Sequence, residues 1–377
     1  MCLAAAAAGK ALPNSTIIPT SVGPKQVGEI KAGDYLFDRL GRPTKVLQIF
    51  PQGQREVYEL TFGDGRKAKC SKDHIWYVHK KTWKDKNSYR EMTVEEILNN
   101  GFIQNERSAK FSIPIAKAVQ YPEKQYSLPP YVIGAFLGDG CCTGDYLTLS
   151  SENEEIPGHI YTLLNATDLY RNPANYNWTF KDSNGHLIKN NILPEEVKKL
   201  SYNKSIPYEY KYGSIQQRLE LIQGLMDTDG SISKDPRENH KATATVIFTS
   251  TSYQLILDVQ EVLGSLGYIS TIRTDMRPEK YTNNQCYSLN INIPNSEKYK
   301  LFSLSRKKEI ALSVKDIKQS RNYEHTNIRE IKDLGYKEEM TCFLVDNDEH
   351  LFLMNDFIVT HNTRTLTERI RYLIENR

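Results

Sequence analysis

The chain has 377 residues, 39% apolar and 25% charged, with a formal net charge of +3. This is a globular composition at a length that exceeds one ordinary domain and points to two or three. No apolar run is long enough to span a bilayer, and residues 1–8 are too short for a secretory signal and lack its basic flank, so a cytoplasmic protein with no membrane partner is expected. Cys2, Cys70, Cys141, Cys142, Cys286 and Cys342 are scattered without CxxC pairs, which argues against a zinc ribbon or a disulfide framework and leaves nucleophilic chemistry for any important thiol. A net charge this small names no nucleic-acid partner; motifs must do that.

At the start, a run of alanines ends in Gly9-Lys10; joined directly to Thr363-Arg364-Thr365-Leu366 it would read as a phosphate-binding loop opening a helix. Such a loop works because successive backbone N–H groups cradle phosphate while the Lys reaches it and the hydroxyl holds Mg²⁺. Residues 11–362 interrupt it. An insertion that removes itself explains the interruption, and His361-Asn362 before the hydroxyl of Thr363 is chemistry for doing so.

From Ala11 onward, short apolar runs separated by Gly, Pro and Asp read as β-strands, including 45–49, 57–62 and 67–70, with a hairpin turn at Gly63-Asp64-Gly65. Ser71 and His74 then stand three apart at a strand end, where a hydroxyl and an imidazole can face one peptide bond. Lys80, Lys81, Lys84 and Lys86 surround Trp83; the cluster is either a phosphate-contacting patch or a solvated loop. A short helix is expected over 93–99 and a strand over 111–115.

Two related stretches follow. Tyr131-Val-Ile-Gly134-Ala-Phe-Leu-Gly138-Asp139-Gly140 and Leu221-Ile-Gln-Gly224-Leu-Met-Asp-Thr228-Asp229-Gly230 align on their terminal Asp-Gly pairs. Pro129-Pro130 and the capping box Ser214–Gln217 open two helices, and the terminal glycines suit helix ends. Gly134 with Gly138, and Gly224 with Thr228, give each helix a small-residue face, so the two can pack closely and bring Asp139 beside Asp229. Two neighbouring carboxylates raise each other's pKa unless a cation intervenes, and Mg²⁺ favours such oxygen ligands. After each helix the chain reads as strands with a helix: 146–150, 156–164 and 178–181, then 246–250, 253–266 and 287–293. Arg273, Arg277 and Lys280 lie on a candidate DNA-facing loop, none singled out as a base reader. A basic helical segment over 307–321 closes this part, and strands resume at 328–331.

Taken together, the Ser-x-x-His stretch, the run from Met340 through Cys342 and His350 to His361-Asn362, and the twin Asp-Gly helices resemble an intein carrying a two-repeat LAGLIDADG homing endonuclease. The resemblance implies a multidomain chain: host remnants at 1–10 and 363–377, and an all-β Hedgehog/intein splicing domain from 11–125 and 321–362, with a possible accessory segment at 80–125. An α+β endonuclease of pseudo-two-fold symmetry would occupy 126–320. It also implies a monomer with an internal pseudo-dimer, Mg²⁺ for the nuclease and no cofactor for splicing. Metal ligands would be Asp139 and Asp229 with the neighbouring Gly138 and Thr228; the DNA target would be the intein-free site of a P-loop host, in this reading a helicase.

Most inteins begin with Cys or Ser; Ala11 has no nucleophile. Trp76, Cys342 and Thr363 resemble the triad of inteins called class 3, in which Cys342 would attack the Lys10 carbonyl, Thr363 would accept the acyl group, and Asn362 would cyclise with help from His361 and His350. The alternative is that Ala11 replaces a natural Cys or Ser to trap a precursor, leaving Cys342 a structural thiol. A nucleotide hydrolase carrying a large insertion is disfavoured because only the residues after Asn362 remain for its core, and a degenerate endonuclease that binds DNA without cutting is the remaining alternative.

Overall fold

The computed structural model describes residues 10–361 apart from 81, 84–87, 106–107, 142–143, 174, 235–243, 277–284 and 315–322. Gly9, Asn362 and Thr363 therefore lie outside the described residues, as do Cys2, Cys142, Lys81, Lys84, Lys86, Arg277 and Lys280. The chain divides into two compact units, Met1–Gln120 with Arg321–Arg377, and Tyr121–Ser320. Among the described residues no helix is long and apolar enough to cross a membrane.

The first unit is built on a long antiparallel ladder between strands Pro43–Phe62 and His325–Val345. Where the sequence reads two strands, 45–49 and 57–62, there is one. Pro51-Gln52-Gly53 makes a bulge instead of a turn, the register slipping between Met340 opposite Gly53 and Thr341 opposite Pro51. Strand Leu12–Pro13 lies on the far side of His325–Val345, and Tyr35–Phe37, Ile17–Thr20 and Gly23–Gln26 extend the sheet beyond Pro43–Phe62. Leu12, Ile18, Leu36, Val46, Phe62, Trp76, Phe343 and Phe352 are buried in one core, the inward positions of strands with alternating burial. Helix α1 (Val94–Asn99) starts on a capping box, with Thr93 Oγ1 accepting from the Glu96 N–H at 3.1 Å and Glu96 Oε2 accepting from the Thr93 N–H at 2.7 Å.

The second unit repeats one order of elements. Helix α2 (Pro130–Asp139) is followed by strands Gly140–Cys141 and Thr148–Ser150, helix α3 (Glu155–Leu163), strands Asp168–Arg171 and Asn177–Lys181, and helix α4 (Glu195–Lys198). Helix α5 (Ile215–Thr228) is followed by strands Gly230–Lys234 and Ala244–Ser250, helix α6 (Tyr253–Ser265), strands Ile269–Met276 and Gln285–Asn292, and helix α7 (Ser305–Leu312). Each half makes a four-stranded antiparallel sheet in which the fourth strand pairs between the second and third. Helix α2 opens on Pro130 and α5 on Ser214, whose N–H donates to Gln217 Oε1 at 2.9 Å while its Oγ accepts from the Gln217 N–H at 3.3 Å. The basic segment expected over 307–321 is helical only as α7 within the described residues.

Candidate functional site

Two separate clusters emerge, one in each unit. In the first, Lys10 and Ala11 are buried at the N-terminal junction. Ser71 brackets Ala11 from both sides: its Oγ accepts from the Ala11 N–H at 3.3 Å, and its own N–H donates to the Ala11 carbonyl at 3.0 Å. His74, at the start of the next strand, is fully buried, with Nε2 2.6 Å from Thr360 Oγ1. Burial pushes its imidazole down to about 3; the charges of His361 and Lys10 add to this, and a backbone hydrogen bond to Lys10 opposes it. At neutral pH the ring is uncharged. Trp76 packs edge-on between the His74 ring, 5.4 Å away, and the Phe62 ring, 5.7 Å away.

The pairing of the first strand points the backbone of residue 342 toward this junction. Leu12 lies opposite Thr341 and Pro13 opposite Met340, so one more step of the same register sets Ala11 across from Cys342. That residue is 2% exposed, its Sγ 3.7 Å from the Phe343 carbonyl oxygen. On the last hairpin Leu351 pairs with His361, and the His350 and His361 rings lie 6.3 Å apart. His361 Nε2 is 3.2 Å from Glu91 Oε1. Neither Glu91 nor Thr360 carries a sequence signal; each meets its histidine only through tertiary approach.

In the second unit, α2 and α5 touch backbone to backbone. A Cβ added to Gly134 would strike the Leu221 carbonyl, and one added to Gly224 would strike the Tyr131 carbonyl and stand 2.6 Å from the Ala135 nitrogen. Gly138 meets the Thr228 side chain in the same way. The terminal glycines differ from the sequence expectation: Gly140 has φ −70°, not the left-handed geometry of a glycine cap. Glycine is required there because the chain turns straight into a strand against the last helical turn, where a Cβ would lie 2.8 Å from Phe136 Cα; at Gly230 it would lie 2.6 Å from Met226 Cα.

Asp139 is half-buried at the end of α2, and Asp229 is exposed at the end of α5. Burial raises the Asp139 carboxyl pKa, with Lys204 and Lys307 pulling it back; the expected mutual repulsion of the two acids is not among the causes. Two lysines to which the sequence assigns no site role, Lys204 and Lys307 at the start of the basic segment, organise these ends. Lys204 Nζ donates to the Phe136 carbonyl at 2.8 Å and reaches Gly140 O at 3.3 Å and Gly138 O at 3.5 Å. Lys307 Nζ donates to the Met226, Asp227 and Gly230 carbonyls at 2.7, 2.7 and 2.6 Å. In the aligned repeats Phe136 matches Met226 and Gly140 matches Gly230, so each ammonium satisfies the open carbonyls of one helix end. Burial pushes Lys307 down to about 8, while Asp227, Asp139 and Asp229 act to hold its charge. Among the described residues no three His, Cys, Asp or Glu side chains form a metal cluster, so a cation here would have the two aspartates as its acidic ligands. Gly138 O is partly engaged by Lys204, whereas the Thr228 carbonyl is not among the Lys307 partners.

A family model described as LAGLIDADG-like domain matches residues 216–303. A replicative DNA helicase DnaB of Mycobacterium intracellulare is 28% identical over 376 residues, covering 94% of this chain and 59% of that protein. The chain thus spans well under two thirds of the helicase it matches. Of solved structures, the gp41-1 intein is 28% identical with a TM-score of 0.19, covering 23% of this chain and 59% of that one. I-DmoI in complex with DNA and Mn is 15% identical with a TM-score of 0.29, covering 47% and 97%. Overlaps this low carry no weight alone. By its junction residues, its twin Asp-Gly helices and the domain matched over residues 216–303, the chain is similar to inteins that carry a LAGLIDADG-like domain.

Proposed function

We propose that the chain excises residues 11–362 and joins Lys10 to Thr363 by a route that starts at Cys342. We further propose that the unit Tyr121–Ser320 cuts duplex DNA at the intein-free site of its host gene, and the helicase relative makes a DnaB-type protein the proposed host. The observation that carries the splicing reading is the pairing of Leu12 with Thr341, which sets Cys342 across from a junction residue without a nucleophile.

In this mechanism the Cys342 sulfur bonds to the Lys10 carbonyl carbon, the Lys10–Ala11 bond breaks, and the Ala11 nitrogen takes the thiol proton. Ser71 Oγ, accepting from that N–H, orients the leaving nitrogen, and neutral His74 hydrogen-bonds at Lys10 as charge develops. Trp76 fixes the His74 ring. Thr363 Oγ then displaces the thiol, which regains its proton. The Asn362 side-chain nitrogen attacks its own carbonyl and releases the Thr363 amine, and an oxygen-to-nitrogen acyl shift forms the Lys10–Thr363 bond. Intact-mass spectrometry of the purified chain beside Cys342→Ala tests this. Excised insert and ligated host peptide from the parent alone support it; a parent that stays whole, or loses only its C-terminal segment, refutes the Cys342 route and fits a trapped precursor.

For the nuclease, Asp139 and Asp229 fit a divalent cation, Mg²⁺ in our reading, because the two acidic helix ends abut, a Cβ on Gly138 standing 3.4 Å from Asp229 Oδ2, and the burial that disfavours the Asp139 charge is offset by a cation. When bound, such an ion activates water and stabilises the leaving oxygen of a phosphodiester. The chain's own part is to hold both carboxylates at abutting helix ends, Lys204 and Lys307 fixing those ends, and we infer a pseudo-two-fold pairing of the halves over the duplex. A plasmid carrying the rejoined host site should be cut with Mg²⁺ by the parent and not by Asp139→Asn; binding without cutting by the parent would refute nuclease activity.

A further inference from the structure

We propose that Glu91 is a positioning residue for the C-terminal junction, holding His361 as an imidazolium ready for cleavage after Asn362. The inference rests on the splicing reading above. Glu91 sits on strand Arg90–Thr93, paired opposite Tyr77 of strand Ile75–Val78, the strand that begins beside His74. That hairpin carries its carboxylate to the last strand, Ile358–His361. The Glu91 Oε1 to His361 Nε2 separation is 3.2 Å, an ion-pair distance instead of an aligned hydrogen bond, with the His361 side chain 0% and that of Glu91 14% exposed. Burial alone favours the neutral ring, as it does at His74; a carboxylate at this distance, itself mostly out of water, acts against that and favours the protonated form.

Among the described residues, two further histidines act on or beside His361. His350 stands 6.3 Å away by ring centroids, and the His361 charge disfavours protonation of His74, beside which the Lys10 charge also acts. None of these supports a positive charge on His361, and Glu91 does. The cleavage needs such a charge. When the Asn362 side-chain nitrogen bonds to the Asn362 carbonyl carbon, the bond to Thr363 breaks and the Thr363 nitrogen must gain a proton. His361 gives it, and the proton lost by the Asn362 nitrogen recharges the ring. Glu91 is to His361 what a buried carboxylate is to the histidine of a hydrolytic triad, an orienting anion that stays ionised.

The test follows cleavage after Asn362 by mass spectrometry from pH 6 to 9 in the full chain, for the parent and Glu91→Gln. Hydroxylamine trapping of the Lys10 acyl group in the same samples reads the N-terminal step. Glu91→Gln keeps the shape and an accepting oxygen but not the charge. It should slow cutting after Asn362 about tenfold and move the alkaline decline in rate about one pH unit lower, with trapping unchanged. A profile superimposed on that of the parent overturns the inference. If Glu91→Gln silences both junctions, NMR titration of His361 in Asn362→Ala, with and without Glu91→Asp, decides: a His361 pKa that does not fall with the shorter acid overturns it. A parent that cuts at neither junction refutes the splicing reading instead.

Discussion

Replacing Gly224 by Ala tests the backbone contact that aligns the two acidic helix ends. In an open helix this change is favourable by about 1 kcal/mol. Here the added methyl meets the Tyr131 carbonyl, the Ala135 nitrogen at 2.6 Å and the Gly134 carbonyl carbon at 3.0 Å. These are backbone atoms and cannot swing aside as a side chain could, so the helices must separate. Overpacking of this kind costs about 1–3 kcal/mol, and the upper value applies when no neighbour yields. Subtracting the propensity gain leaves a net loss of about 2 kcal/mol, or about 4–8 °C in Tm for a domain of this size. Gly158→Ala in α3 is the control, since a Cβ there meets nothing within 4 Å; it should leave Tm unchanged or raise it. Calorimetry of the two variants, with the melting of the second unit resolved, is the assay. DNA cleavage should fall in Gly224→Ala while splicing is retained. A Gly224→Ala protein as stable as the parent would refute the claim that α2 and α5 meet through their backbones.

Two further outcomes concern pH. Because the folded state holds His74 neutral to about 3 and an unfolded histidine titrates near ~6.5, the unfolded chain takes up the extra proton and stability falls as pH drops through that window. The loss reaches about 2 kcal/mol at pH 5, and the acid-induced drop in stability of the first unit should shrink by that much in His74→Gln, measured by urea unfolding from pH 7 to 5. Burial depresses Lys307 to about 8, well below the ordinary lysine value, so above pH 8 the folded state gives up its proton before the unfolded one does and stability rises with pH. The parent-minus-variant difference in Tm against Lys307→Met should therefore grow from pH 8 to 9.5, and a flat difference would contradict the burial of that ammonium.

What was legible in the sequence was local. The abutting face of the repeat helices could be read because Gly134, Gly138, Gly224 and Thr228 fall at helical spacing before matching Asp-Gly pairs, and the Ser214 capping box because it is a four-residue pattern. Lys204 and Lys307 could not be read: they follow their repeats at unequal distances, and a lysine is ordinarily a surface residue. Only the fold shows them turned inward onto helix carbonyls. Pro51-Gln52-Gly53 misleads because its composition is that of a turn, whereas a partner strand more than 280 residues downstream makes it a bulge. Glu91 and Thr360 are invisible for the same reason, since nothing near them in the chain announces a histidine from another strand.

The ladder between Pro43–Phe62 and His325–Val345 also sets a timetable for synthesis. Its second strand is made only after all of Tyr121–Ser320. At about 5–20 residues per second, the ribosome needs roughly 10–40 s to pass that stretch. During that interval Pro43–Phe62 has only its near neighbours Tyr35–Phe37 and Lys67–Cys70 to pair with, while the intervening unit is contiguous and completes its own core. Cys342 and both residues of the C-terminal junction appear later still, so a nascent host chain carries an inert insert until its last strand emerges.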